Sequence, residues 1–213
     1  SIIDLAKYAE QAELTGARMP VKFTRRNDEV GILARSFALM MNKVSGSLGK
    51  MRHMAYHDNL TGLKNRYSLE QDIEKLISDK KPFAFALMDI DDFKIINDMM
   101  GHAEGDRLLI CIARIFESQE SDTLKAYRWG GDEFAFILTG EGRQSYEQDI
   151  EKVLEEVSAR FNSASKWRIS VSAGLCLYPD SASDYAQLLA LADQALILSK
   201  RSGKARYRFY EDI

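Results

Sequence analysis

The chain is poor in the residues that build disulfides and soft-metal centres. Two of its 213 residues are cysteine and three are histidine. Cys111 and Cys176 lie far apart in apolar runs (LLICIARI and GLCLYP) with no CxxC spacing, so they read as buried free thiols of a reducing compartment. His53, His57 and His102 form neither HxxxH nor HExxH, which argues against a histidine zinc site. There is no basic excess: the net charge is −3 and the pI about 5.7, so no global field points to nucleic acid. No apolar run reaches membrane-spanning length and no signal peptide is present. The chain opens Ser1-Ile2-Ile3 without an initiator methionine and reads as a fragment, so the missing span says little about a parent protein. Internal repeats and low-complexity tracts are also absent.

What is present is 46% hydrophobic and 29% charged, spread as in a soluble globular chain. The length suits one medium domain, or one domain plus a smaller module. The first fifty-odd residues carry helical spacing. Ile2, Leu5, Ala9 and Ala12 form a first stripe, broken at Thr15-Gly16. Met19-Pro20-Val21-Lys22-Phe23 reads as an extended connector, since Pro20 disfavours a helical Met19. A second helix is expected from about Asn27-Asp28-Glu29, with acids where the helix dipole favours them. Its apolar positions are Leu33, Phe37, Met40, Val44, Leu48 and Met51, in steps of 4, 3, 4, 4 and 3. That spacing suits a coiled-coil seam with a stutter at Val44–Leu48, weakened by Gly46 and Gly49. It suits equally a short amphipathic helix packed on the domain that follows. The two stripes, the connector after Gly16 and the element Asp28-Glu29-Val30-Gly31 resemble a HAMP domain over residues 1–52, truncated at its start. The resemblance implies a parallel homodimer and a parent protein with this segment on the cytoplasmic face of the inner membrane, the fragment itself being soluble.

The remaining chain alternates helix and strand patterns. Helices are expected at 68–80, 103–118, 145–161 and 184–203, the last ended by Gly203. Strands are expected at 83–90, in the hairpin LKAYRW/EFAFIL, at 167–178 and at 205–211. This is an α+β fold, a sheet with helices against it. Two acidic clusters stand out. Asp89 and Asp91 leave the end of strand 83–90; two apart, they are expected to point to the same side and offer hard oxygen donors suited to Mg²⁺. Alone they would be an ordinary polar loop. Asp132-Glu133, at the tip of the hairpin, is the second cluster. If strand 83–90 lies beside that hairpin, the two converge, and a cation would relieve their repulsion. Lys94 could meet a phosphate, and Asn97, Asp98 and Asp106 add polar groups of the kind that can hydrogen-bond a guanine edge. Gly130 and Gly131 leave room for a nucleotide to approach the backbone.

Taken together, Arg128-Trp129-Gly130-Gly131-Asp132-Glu133-Phe134, HDNLTGLKNR (57–66), DIDDFKIIND…GHAEGD (89–106), ISVSAG (169–174) and ADQALILSKRSGK (192–204) resemble a GGDEF diguanylate cyclase, within a domain spanning 53–213. The resemblance implies a mostly antiparallel central sheet of ferredoxin-like, nucleotidyl cyclase type. It implies condensation of two GTP into cyclic di-GMP by a homodimer with Mg²⁺ or Mn²⁺. Asp89, the carbonyl of Ile90, Asp132 and Glu133 would hold the metal. Asp132 would also be the general base, assisted by Glu133. Phe93 and Lys94 would meet phosphates, Asn97 and Asp106 would read guanine, and Lys200 and Lys204 would reach the triphosphate. Two departures are visible. Lys204-Ala205 stands where the family has arginine and asparagine, which keeps the charge but loses bidentate contact. Ser121-Asp122-Thr123-Leu124 stands where many members carry an inhibitory Arg-x-x-Asp, so little product inhibition through that site is expected. The rival reading is a catalytically silent module that binds GTP or cyclic di-GMP; intact Asp89, Asp132 and Glu133 weigh against it.

Overall fold

The computed structural model describes residues 21–164 and 169–213. Its contacts divide the chain into two units, residues 1–55 and 56–213. The expected first HAMP helix lies outside the described residues. In the first unit, Val21–Thr24 forms a single helical turn (α1), where the sequence led us to expect extended chain. The turn brings Phe23 into a small apolar cluster with Val30 and Ala34. Arg35 Nη1 donates to the carbonyl of Thr24, the last residue of the turn, at 2.9 Å and to that of Arg26 beyond it at 2.7 Å. Helix α2 runs Glu29–Tyr56. Asp28 Oδ1 caps it by accepting from Gly31 N at 3.1 Å, and the Arg26 guanidinium holds the Asp28 carboxyl down to about 2. A side chain at Gly31 would collide with the Arg26 carbonyl, which explains the Asp-Glu-x-Gly element locally.

The expected weak point does not interrupt α2, which passes through Gly46 and Gly49 as one helix. Its phase is also unbroken. Leu33, Met40 and Met54 differ by multiples of seven, as do Phe37, Val44 and Met51, so Ser47 rather than Leu48 holds the seam position and no net stutter exists. Of these, Leu33, Met40, Val44, Met51 and Met54 are exposed.

The second unit is built on a six-stranded sheet: β1 (Lys64–Asn65), β2 (Phe83–Ile90), β3 (Leu124–Gly130), β4 (Glu133–Leu138), β5 (Val171–Tyr178) and β6 (Tyr207–Phe209). The order is β1-β3-β4-β2-β5-β6, antiparallel through the centre and parallel at the pairs β1/β3 and β5/β6. The central strand β2 is buried along its whole length, as its continuous apolar run demands. On one face, α5 (His102–Gln119) and α6 (Arg143–Ala164) cover Ala86, Met88, Phe134, Phe136 and Leu175. Phe116 sits edge-on to Phe134 and Phe136, each at 5.0 Å. On the other face, α3 (Arg66–Ser78) and α7 (Tyr185–Arg201) cover Phe83, Phe85, Leu87, Ile137 and Cys176.

Three elements of this unit were not anticipated, one being the 3₁₀ turn Tyr210–Asp212, where strand was expected to run on to 211. The two-residue β1 is too short to give a periodic signal. Helix α4 (Phe93–Met100) carries polar residues read as site groups, and its start at left-handed Asp92 (φ 58°) offers no capping signature. The motif at 57–66 is a local scaffold. Asp58 Oδ1 accepts from Thr61 N and Oγ1 at 2.9 and 2.6 Å, and Asn65 caps α3 through Ser68 N at 3.1 Å.

Helix α7 approaches β5 closely. A Cβ on Gly174 would collide with Ala192 O and Leu196 N, and buried Ser199 Oγ donates to Ala173 O at 2.8 Å. That approach sets where the next residue, Lys200, can reach. Gly174→Ala is therefore expected to destabilise the fold by at least ~2 kcal/mol through overpacking, read as a lowered urea midpoint. A midpoint equal to the parent's would show that α7 can stand off from β5 at no cost.

Candidate active site

The condition set by the sequence is met: β2 pairs antiparallel with β4, and Asp89 stands directly opposite Glu133. Ile90 N donates to Asp132 O at 3.3 Å, which joins the end of β2 to the tip of the β3–β4 hairpin. The hairpin bulges between Arg128 and Gly130. Gly130 (φ 154°) and Gly131 (φ 54°) then adopt backbone conformations that a side chain would strain. Nothing lies within 4 Å of where either Cβ would stand, so the glycines are required by the turn rather than by crowding within the protein.

Asp89 follows Phe85 and Leu87 in alternation, so it shares their face, and Lys200 Nζ of α7 lies 2.7 Å from its Oδ1. Burial, first, and then the charges of Asp132 and Asp91 push the Asp89 carboxyl upward against the pull of Lys200. Burial also raises Glu133, joined by the like charges of Asp89 and Asp132. Asp91 keeps to the expected side, bonding the Ser172 that stands opposite Asp89, but not to the expected role. It lies beyond the end of β2, and its carboxylate accepts from Ser170 Oγ at 2.6 Å, Ser172 Oγ at 2.8 Å and Ala205 N at 3.1 Å. Both of its oxygens are engaged, which withdraws it from the hard-donor set.

Toward the α4 and α5 side, Phe93, Lys94, Asn97, Asp106, Gly131 and Asp132 line one groove of about 530 Å³. The predicted residues thus fall on two sides of one sheet end, with Asp132 at the turn between them. Asn97 Oδ1 is buried without a partner, and a Cβ on Gly105 would occupy its place. Lys204 Nζ lies 2.7 Å from Asp92 Oδ1.

Among the groove residues with no role assigned from the sequence are Leu60, His102, Leu109 and Arg128. Arg128 is only 6% exposed, stacks 4.7 Å from the Phe134 ring centroid and donates from Nη2 to the Gly131 carbonyl, bracing the glycine turn. Burial lowers its pKa, while the charges of Asp58, Asp132 and Asp106 oppose that shift. A basic residue inside a strand pattern was the available signal. Its partners are distant in sequence, so only the fold reveals them.

Among the described residues, no three His, Cys, Asp or Glu side chains gather as a metal cage. Mg²⁺ is ordinarily held by one or two carboxylates, with waters and substrate phosphates completing its shell. Buried Asp89 and half-buried Glu133, both raised, with Asp132 adjoining, are a donor set of that kind.

A layered α+β domain with paired acids at a strand end beside a polar groove has the anatomy of a nucleotide-handling domain. Comparison with known proteins makes this specific: residues 55–206 match the family described as "Diguanylate cyclase, GGDEF domain", and the chain belongs to it. It is 37% identical over 165 residues to the bifunctional diguanylate cyclase/cyclic di-GMP phosphodiesterase MucR of Pseudomonas aeruginosa, covering 74% of this chain and 24% of MucR. It is 30% identical over 209 residues to the diguanylate cyclase TpbB of the same species, covering 89% of this chain and 48% of TpbB. The chain thus spans half or less of these relatives. Among solved structures, the coiled coil and GGDEF domain of DgcB from Caulobacter crescentus, in complex with c-di-GMP, matches with TM-score 0.73 and 29% identity, over 83% of this chain and 96% of that one.

Because the Glu133 carboxyl is raised, its ionised form is disfavoured by the fold and costs stability at neutral pH. Glu133→Gln is expected to raise the melting temperature measured at pH 7.5 without metal, and the gain should shrink as pH falls and the parent's carboxyl protonates. A Tm at or below the parent's at pH 7.5 would contradict this account of the acidic pair.

Proposed function

We propose that this chain is a working diguanylate cyclase segment, joining two GTP into cyclic di-GMP with release of two pyrophosphates. The observation that carries the reading is the cross-strand opposition of Asp89 and Glu133, with Asp132 adjoining them and bordering the groove of Asn97 and Asp106. Each domain holds one GTP. Asn97 and Asp106 orient the guanine, Phe93 and Lys94 receive phosphates, and Lys200 and Lys204 take the triphosphate tail. Asp132 accepts the proton of the 3′-hydroxyl that attacks the α-phosphorus of the GTP on the partner domain; the P–O bond to pyrophosphate breaks in line. Asp89, the Ile90 carbonyl, Asp132 and Glu133 would hold Mg²⁺ or Mn²⁺, which when bound stabilises charge on the phosphate and the leaving oxygens.

Two sites must face each other, so the working unit is a homodimer, and proximity dominates its rate. The exposed seven-residue repeat of α2 supports pairing through residues 1–52, read as a HAMP-like module before a catalytic domain at 53–213, and no nucleic acid is involved. The parent is read as membrane-anchored, with this segment on the cytoplasmic side. Among the described residues no helix is long and apolar enough to cross a membrane. The ion pair of Lys200 with Asp89 is the observation that favours the rival, a silent GTP- or cyclic di-GMP-binding module, because it already offsets a carboxylate the metal needs.

Incubating the purified chain with GTP and Mg²⁺, with chromatography for cyclic di-GMP, separates the two. Product is expected; GTP binding without product would favour the rival. Asp132→Ala should abolish turnover with an unchanged circular dichroism spectrum. Added micromolar cyclic di-GMP should slow the parent little. Ser121 Oγ accepts the turn amides of Thr123 and Leu124 at 3.2 and 3.1 Å, and Leu124 is buried, so neither presents a ligand group. Strong inhibition relieved by substitutions at 121–124 would refute that expectation.

A further inference from the structure

Asp91 is an ionisable group only 6% exposed that the proposed chemistry does not use. Its three donors come from two separate parts of the chain. Ser170 precedes β5, Ser172 belongs to β5, and Ala205 lies in the connection from α7 to β6. Its own backbone N–H also donates to Ser170 O, at 2.9 Å. The α7–β6 connection is unusual in itself. Lys204 and Ala205 are successive non-glycine residues in the left-handed region, at φ 59° and 51°. Such residues persist only where the surroundings hold them. The contact that Asp91 makes there is with the N–H of Ala205, immediately after Lys204. Lys204 in turn reaches back over the same turn of chain, its ammonium against Asp92.

We propose that Asp91 is a positioning residue for Lys204: its buried carboxylate clamps the α7–β6 connection to the end of β2, so that the lysine is presented to the β- and γ-phosphates of the nucleotide. This rests on the cyclase reading of the groove and the role given there to Lys204. The clamp works by accepting the Ala205 N–H, so it depends on an acceptor at residue 91 rather than on its charge. Asparagine preserves it, because the amide oxygen takes the Ala205 and Ser170 donors while the amide nitrogen donates to Ser172 Oγ. Alanine removes it.

The test is calorimetric binding of 3′-deoxy-GTP and 3′-deoxy-GMP, which lack the attacking hydroxyl, to the full chain with Mg²⁺. Asp91→Ala should weaken the triphosphate about tenfold, the scale of one lost charge-assisted contact, and change the monophosphate less than about twofold. Asp91→Asn should restore parental affinity. Lys204→Ala should reproduce the loss, and adding Asp91→Ala to it should cause no further loss. If Asp91→Ala does not fold, Ser170→Ala/Ser172→Ala, which frees the carboxylate from two donors, should give a smaller loss of the same selectivity. Equal weakening of both nucleotides, full additivity with Lys204→Ala, or no effect would overturn the proposal. A parent chain that binds neither nucleotide would instead overturn the nucleotide reading on which it rests.

Discussion

The pairing of β2 with β4 is the constraint on which the rest of the structure depends. It places two carboxylates, Asp89 and Glu133, opposite each other across an antiparallel ladder, in an arrangement that like charges resist. The ladder wins because everything behind it is apolar. β2 is buried along its length, and Phe134 and Phe136 of β4 pack under Phe116. Burial of each such side chain contributes roughly 1.5–3 kcal/mol, whereas each raised carboxyl costs a fraction of that sum. The acids are held at the rim by a core that does not depend on them.

Around that rim the protein distributes positive charge from elements remote in sequence. Lys200 comes from α7, whose height over the sheet is set by Gly174. Arg128 comes up from β3 beneath the glycine turn and bonds the Gly131 carbonyl. Lys204 is the first residue of a doubly left-handed bend tied down by Asp91. Each cation stands where a specific backbone feature puts it, so the site's electrostatics are consequences of packing as much as of residue type.

The linear pattern was a good guide where periodicity is strong. Strand 83–90, the hairpin around 130–133 and the long helices lie where alternation and helical spacing indicated, with ends shifted by a few residues. It was a poor guide where tertiary contacts override local preference. Val21–Thr24 curls because Phe23 is covered by Val30 and Ala34. Asp91 looked like a twin of Asp89 and does reach the same side of the sheet, where it bonds the Ser172 that stands opposite Asp89, but its carboxylate is taken up by Ser170, Ser172 and Ala205. The reading of a stutter in α2 came from following Leu48 instead of counting sevens through Ser47.

Residue types and spacing alone determined that an acidic strand end and an acidic glycine turn exist, that they belong to one α+β domain, and that the family's signature is complete while its Arg-x-x-Asp is missing. They did so because those features are local. Which carboxylate faces which, that Asp89 meets Lys200 while Asp91 is consumed by two serines and a backbone amide, and that Arg128 braces the turn were decided only by tertiary structure. These are relations between strands and helices separated by tens of residues, fixed by sheet register and helix height, and no local pattern encodes either.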